Sequence, residues 1–468
     1  MTTRALLRAL TATTLSAGLA ATILPTSAVE TTAGSSRSGD SLFPSMGNGG
    51  YDVTHYDIDL SYRPRNERIV ATTAVHAVAK QGLTSFNLEL RGLEITRITV
   101  DGAPVEHVRD RAELTVELPE AAPLPAGEPF TVVVEYAGQP HALTGGGLGG
   151  EGWITTPDGA TVLSEPNGAM TWFPVNNTPR DKATYDISVD VPNRLKAASN
   201  GLLVGRDRGP RRTTWHWRET RPMAAYLATV SIGRYRMFRD TTASGVPLIS
   251  FVDVKAGRAK RERRNLPKVM RFLEKRFGRY PFASSGMIID NINVGYALET
   301  QGRPVYPHDA PAWLMVHELA HQWFGNSVTP RDWSDIWLNE GFASYAEWLW
   351  QAKVSQRKRQ VEQEMFDFFY EVYGPKNHLW RITPGDPGVP RRLFHQAIYL
   401  RGAMTLHALR MEVGGRDFFR ILRTWARRYE HGSGTTPQFK RLAEEVSGEQ
   451  LDRLFRVWLY TPRKPRGY

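Results

Sequence analysis

The sequence predicts an α+β protein: an N-terminal antiparallel β-sandwich-like domain followed by a mainly helical domain. Segments of period two run from Tyr51 to about Asp240, separated by turn signals such as Asp101-Gly102 and Asn200-Gly201. After about residue 255 the apolar period lengthens to that of amphipathic helices. The length of 468 residues favours two or three domains.

The elements follow in chain order. Arg4 and Arg8 precede an uncharged stretch from Leu10 to Leu24 that is rich in Ala, Thr and Leu. Small residues at Pro25-Thr26-Ser27-Ala28 complete a secretory signal over residues 1–28, too short and small-residue-rich for a membrane span. An uncleaved anchor is the other reading of that pattern. No later stretch is apolar enough to span a bilayer, so the mature chain is expected outside the cell, diffusing or held at an anionic envelope. Residues 29–50, rich in Ser, Thr and Gly, read as a flexible leader.

The β domain is expected over 51–240. Tyr56 to Leu60, Phe86 to Leu90 and Ile95 to Val100 alternate, and Phe130 to Tyr136 is nearly continuously apolar. The glycine-rich stretch Gly145 to Gly152 contains a formal GxGxxG. No βαβ unit surrounds it and no Lys-Ser/Thr follows, so it is expected to be a surface loop. The second domain, 241–468, is expected to hold helices over Leu266–Phe277, Trp313–Phe324, Asp335–Trp350, Leu400–Val413 and Phe418–Tyr429.

The composition excludes several classes of function. With no cysteine there are no disulfides, thiolate metal ligands or cysteine nucleophiles. The formal charge is +11, and loss of Arg4 and Arg8 with residues 1–28 leaves +9. The densest basic run, Lys255 to Arg279, reads as a solvated helix face or a polyanion-binding face. No recognition motif or aromatic stacking pattern accompanies it, so no nucleic-acid partner is expected.

Chemistry concentrates in His317-Glu318-Leu319-Ala320-His321. Histidines four apart share a helix face, and zinc takes imidazole nitrogens at about 2.0–2.1 Å. A catalytic zinc needs a third protein ligand. Glu340 supplies it, on a second helix after 18 intervening residues. Gly325, Asn326 and Pro330 end the first helix, and Ser334 or Asp335 is expected to cap the second. Glu318 is placed as a general base on the metal-activated water rather than as a ligand. Glu347, seven residues after Glu340, either orients a ligand histidine or is an exposed acid. Trp313, Trp323, Trp333, Trp337, Trp348 and Trp350 are expected to pack the core.

HELAH, 18 residues, then Glu340 in Trp337-Leu338-Asn339-Glu340-Gly341-Phe342 resembles the aminopeptidase N family of zinc metallopeptidases. Gly295-Tyr296-Ala297-Leu298-Glu299 resembles that family's exopeptidase motif, usually Gly-Ala-Met-Glu-Asn. Trp172-Phe173-Pro174, Asp181-Lys182-Ala183 and Ser199-Asn200-Gly201 resemble its β domain, and Tyr399-Leu400-Arg401-Gly402-Ala403 the stretch with its catalytic tyrosine. The resemblance implies a thermolysin-like catalytic domain with one zinc ion per chain, acting on peptides with a free N-terminus. It implies that Glu165 and Glu299 hold the substrate's α-ammonium and that Tyr399 donates to the oxyanion. From spacing alone, Glu165 and Glu299 are an ordinary turn and loop residue, and Tyr399 a buried ring at a helix start. Thr300 stands where the family motif usually has Asn, which bears on residue preference. The larger members carry a further helical domain, so a more open cleft is expected here. The alternatives are a zinc endopeptidase on the same scaffold and a non-catalytic secreted binding module. Substrate preference and oligomeric state are left open by the sequence.

Overall fold

The computed structural model describes residues 31–144, 149–257, 259–355, 357 and 359–466. The expected signal, residues 1–28, and the first half of the glycine-rich loop lie outside the described residues.

The β-rich half is built on an eight-stranded sheet. Its order is Leu202–Arg208, Arg212–Ala224, Lys182–Pro192, Tyr51–Arg63, Arg68–Ala79, Pro129–Gly138, Glu94–Val100 and Ala103–Pro104. All neighbours are antiparallel except Lys182–Pro192 and Tyr51–Arg63, which run parallel. Alternation sets which face is covered: Tyr56, Ile58 and Leu60 are buried while Asp57 and Asp59 are exposed. Two four-stranded sheets complete this half.

The segment Phe86 to Leu90 alternates in sequence but is buried on both faces. Glu89 is the reason it can be. Its carboxylate accepts from the Gly47 and Asn177 backbone N–H groups and from Asn48 Nδ2, at 2.6, 3.0 and 2.9 Å. Burial raises its pKa to about 8.

Residues 31–50 are not the free leader that their composition suggests. Thr31–Ala33 pairs in parallel with Gly82–Glu89. Asp40 accepts from the Trp333 backbone N–H at 2.8 Å, and Ser41 bonds Asp332 through both its backbone N–H and its hydroxyl. Leu42 is buried, and Phe43 meets the Trp333 ring edge-on at 6.3 Å. A few anchoring side chains override a polar, glycine-rich composition.

The strands do not stop at residue 240. Tyr235–Thr241, Pro247–Asp253, Ile288–Asp290 and Val305–Pro307 form one four-stranded sheet that straddles the expected boundary. Beyond it come α1 (Leu266–Phe277), α2 (Ala312–Ala320), α3 (Trp337–Val354), α4 (Arg359–Val372), α5 (Gln396–Arg428) and α6 (Thr436–Ser447). The first matches its expected bounds. α5 joins the two expected helices across a kink at Gly414, whose φ of 77° and ψ of 157° are not helical. α4 and α6 are additional to the expected helices. The basic run partly covers aromatic rings: Arg263 lies over Phe238 at 3.9 Å and Arg276 over Phe272 at 3.7 Å.

α3 and α5 cross at two glycines. A Cβ on Gly341 would sit 2.9 Å from Gly402 backbone atoms, so neither position has room for a side chain. Glu340 precedes one of these glycines and Tyr399 lies one turn before the other. Gly402→Val is therefore expected to lower stability by about 3 kcal/mol, the upper end of the usual overpacking cost, because the clash is with backbone. Urea unfolding checks this; a midpoint equal to the parent's would contradict the close crossing.

Candidate active site

α2 begins after Pro311 and ends at His321, so both histidines lie at its C-terminal end. The chain then turns through Phe324 and Gly325, whose φ of 129° favours glycine. Neither Ser334 nor Asp335 caps α3, whose N-cap residue is Ile336 with no side-chain hydrogen bond; Asp332 caps the short turn Trp333–Asp335 leading into it, accepting from the Ser334 N–H at 3.0 Å. Asp335 instead accepts from the backbone N–H and hydroxyl of Thr436 at the start of α6. α3 then presents Glu340 in its first turn, facing the histidines.

The three expected ligands converge. His317 Nε2 and His321 Nε2 lie 3.2 and 3.4 Å from the same oxygen, Glu340 Oε2. All three ligand atoms fall within 4.8 Å of one another. Two ligands of a tetrahedral zinc, each at about 2.0–2.1 Å, are separated by about 3.3 Å, so these spacings fit the ion. The far nitrogens fit as well. His317 Nδ1–H donates to Glu347 Oε1 at 2.7 Å, and His321 Nδ1–H donates to the Phe324 carbonyl at 3.2 Å. Acceptors at both Nδ1 atoms put the protons there and leave the Nε2 lone pairs free for a metal.

Glu347 thus contacts a ligand histidine instead of standing exposed. Glu347→Ala is expected to weaken zinc retention about 10–100-fold, the usual cost of losing such a partner. Competition against a chromogenic chelator reads this directly, and unchanged affinity would remove Glu347 from the site.

Seven side chains expected from sequence line one cavity of about 250 Å³: Glu165, Glu299, His317, Glu318, His321, Glu340 and Tyr399. Glu165 follows the strand Ala160–Leu163, and Glu299 precedes Val305–Pro307. Both glutamates are 2% exposed, and each has an Oε1 without a hydrogen-bond partner. Burial raises the pKa of each, and carboxylate neighbours push Glu165 further in the same direction. Such a pair favours a bound cation. Burial lifts Glu318 to about 8 against the pull of His317 and His321. For Glu340 the two histidines outweigh burial and hold it at about 2, so it is a carboxylate at neutral pH. The Tyr399 ring lies 6.0 Å from the His317 ring with 22° between their planes, and burial holds its phenol neutral.

Gln322, which has no expected role, and Asn326, expected only to help end the helix, bolt the end of α2 to the segment bearing Glu299. Gln322 Nε2 and Asn326 Nδ2 both donate to the Glu299 carbonyl, at 2.9 and 2.7 Å. Gln322 Oε1 accepts from the Gly302 N–H at 2.8 Å. Tyr296 also lines the cavity and donates its hydroxyl to the Gly150 carbonyl at 2.5 Å. Trp313 departs from expectation. Its five companions are buried, but it is 47% exposed and forms part of the cavity wall. It sits in the first turn of α2, before the helix enters the core.

Two imidazoles and a carboxylate around one point, with a second carboxylate beside them and an α+β scaffold beneath, define the zinc metallopeptidase class. The chain belongs to peptidase family M1: the Peptidase M1 N-terminal domain matches residues 53–227, and the Peptidase family M1 domain matches residues 297–458. Among solved structures it is similar to an M1 zinc metallopeptidase from Deinococcus radiodurans, with a TM-score of 0.82 and 30% identity over 91% of this chain and 98% of that one. A structure of a mutant of that enzyme bound to a Tyr-Ser-Ala substrate matches with a TM-score of 0.81 and 30% identity, covering 90% and 96% of the two chains. Aminopeptidase M1 of Arabidopsis thaliana is 26% identical over 66% of this chain and 37% of its own length. Glutamyl aminopeptidase of Bos taurus is 25% identical over 86% of this chain and 46% of its own length. The chain therefore spans less than half the length of these plant and mammalian relatives.

Proposed function

We propose that the chain is a zinc aminopeptidase that removes N-terminal residues from peptides. The observation that carries this is the pair Glu165 and Glu299. Both are buried, both have an oxygen without a hydrogen-bond partner (that of Glu299 lies 3.9 Å from His321 Nδ1), and both line the cavity that holds His317, His321 and Glu340. Two carboxylates beside the metal ligands bind an α-ammonium through charge-assisted hydrogen bonds. An internal peptide segment offers no such cation and leaves both acids unpaired.

His317, His321 and Glu340 would hold the zinc. A zinc ion bound there supplies a Lewis acid that polarises the scissile carbonyl and acidifies water. The remaining steps belong to this chain's side chains. Glu318 takes a proton from the attacking water and passes it to the departing amine. Tyr399 donates its hydroxyl to the oxyanion of the tetrahedral intermediate. Glu165 and Glu299 fix the amine, so one residue fits between it and the bond that breaks. Gln322 and Asn326 hold Glu299 in register with the histidines.

The test uses aminoacyl 4-nitroanilides and their N-acetylated forms. Hydrolysis of the free-amine substrate that a chelator abolishes and zinc restores is expected, with the acetylated form slower by at least ~100-fold, the scale for leaving buried polar groups unpaired. Equal rates on both forms would leave a zinc endopeptidase.

Residues 1–28 are read as a secretory signal, and we propose that the mature enzyme acts outside the cytoplasm. No helix among the described residues is long and apolar enough to cross a membrane. N-terminal sequencing of the protein from culture medium or envelope should begin near Val29. A chain recovered with Met1 intact in the cytoplasm would overturn export.

A further inference from the structure

Two helices carry the protein's excess charge. Residues 264–279, which include α1, hold six Lys and Arg and one acid, and residues 415–428, the second half of α5, hold five Arg and one acid. Their net charge is +9, and residues 29–468 together carry +9, so the rest of that chain is neutral on balance. The charge is also aligned. Lys268, Arg271 and Lys275 are exposed and lie three and four residues apart on one face of α1, and Arg416, Arg420, Arg423 and Arg427 do the same on α5. The helices meet toward their C-terminal ends, where Arg423 Nη1 donates to the Arg276 carbonyl at 3.4 Å. A cavity of about 330 Å³ opens there, with Arg279, Arg423 and Arg427 in its lining and the buried rings of Phe277 and Trp323 behind them. It shares no lining residue with the zinc cavity.

Neighbouring acids do not neutralise this face. Asp417 pairs with Arg416 and Arg420, Glu445 pairs with Arg428, and Glu274 accepts from the Ser244 hydroxyl. Glu430 is the acid in the cavity lining, 3.8 Å from His431 Nε2. Lys268, Arg271, Lys275, Arg279, Arg423 and Arg427 have no ion-pair partner among the described residues. Cations in the last turn of a helix offset its dipole, which accounts for Lys275 and Arg427. Lys268, Arg271 and Arg423 lie a turn or more earlier and have no such role.

We propose that this face binds a linear phosphodiester polymer of the cell surface and holds the enzyme there. The inference rests on the export reading and is independent of the aminopeptidase reading. Guanidinium forks match phosphate oxygens, and a stripe of them matches a chain of phosphates. No large apolar side chain of residues 264–279 or 415–428 is exposed. The face therefore offers a bilayer nothing to insert and nucleobases no ring to stack on. A polymer that presents phosphates alone fits what remains.

The probe is a short labelled poly(glycerol phosphate) chain, titrated with the zinc-loaded full chain and read by fluorescence anisotropy. Six neutralised phosphates predict that affinity falls about 10²–10³-fold between about 50 and 200 mM salt. The triple variant Arg271→Gln, Arg279→Gln, Arg427→Gln should bind at least ~10-fold more weakly, with the slope of log affinity against log salt reduced by about 2. Its hydrolysis of aminoacyl 4-nitroanilides should equal the parent's. The control Arg65→Gln, Arg91→Gln, Arg208→Gln removes the same charge from exposed positions of the β domain and should bind like the parent. An equal loss in the control would show that net charge alone binds, and would overturn the proposal. So would binding that the first triple leaves unchanged. Poly-L-glutamate, a single-stranded oligonucleotide and phosphatidylglycerol vesicles compete at matched charge. Displacement by any of them at a lower concentration than by unlabelled poly(glycerol phosphate) gives the face to that competitor and overturns the assignment. Absence of binding sinks this inference alone and leaves export standing. A native chain found in the cytoplasm with Met1 intact removes export and this partner together.

Discussion

Glu318→Gln is expected to lower kcat by about 10²–10⁴-fold, the range for losing a positioned general acid–base group, while one zinc per chain stays bound. The amide keeps the size and a hydrogen bond but can neither accept the water's proton nor return it to the leaving amine. The histidines and Glu340 are untouched, so metal content separates this outcome from a broken site. Glu318 is 3% exposed, and burial raises its pKa to about 8. Steady-state kinetics with metal analysis on one preparation checks this. A variant within threefold of the parent would mean that Glu318 is not the base.

Tyr399→Phe should reduce kcat about 10²–10³-fold with little change in KM, as for loss of one oxyanion donor. The effect falls on kcat because the donor acts on charge that develops during the reaction. The ring stacks beside His317, and phenylalanine preserves that packing, so stability should stay near the parent's. A proportionate rise in KM with kcat intact would instead place Tyr399 in ground-state substrate binding.

How much of this was legible in the sequence depends on how local the information is. His317, Glu318 and His321 are set by helical spacing within a single turn, and Glu340 by the next helix, so pattern sufficed. Helix α1 was equally readable because its apolar stripe is clean. Residues 31–50 were misread since Ser, Thr and Gly look flexible until Asp40 and Ser41 are seen to dock on Trp333 and Asp332, hundreds of positions away. The helix α6 did carry local signals, namely the Thr435–Gln438 capping box and Gly448 at its end, that the reading passed over. Glu165 and Glu299 were placed by family motif alone. Spacing had no way to bring a turn after one strand and a loop before another to a single cavity.

Gln322 and Asn326 could not have been found from pattern, because their role is to meet the carbonyl of Glu299 across a packed interface. Sequence pattern groups Trp313 with five tryptophans of the core. Only the three-dimensional position of the first turn of α2 shows it at the cavity mouth. Glu347 was readable as one of two options, and the 2.7 Å contact with His317 selects between them.

The most direct test of the zinc aminopeptidase is mass spectrometry of an unmodified peptide digested over time. Loss of single residues in order from the N-terminus is expected, stopped by a chelator, resumed with zinc, and absent when the peptide is N-acetylated. Internal fragments appearing first, at equal rates from free and acetylated peptide, would contradict it.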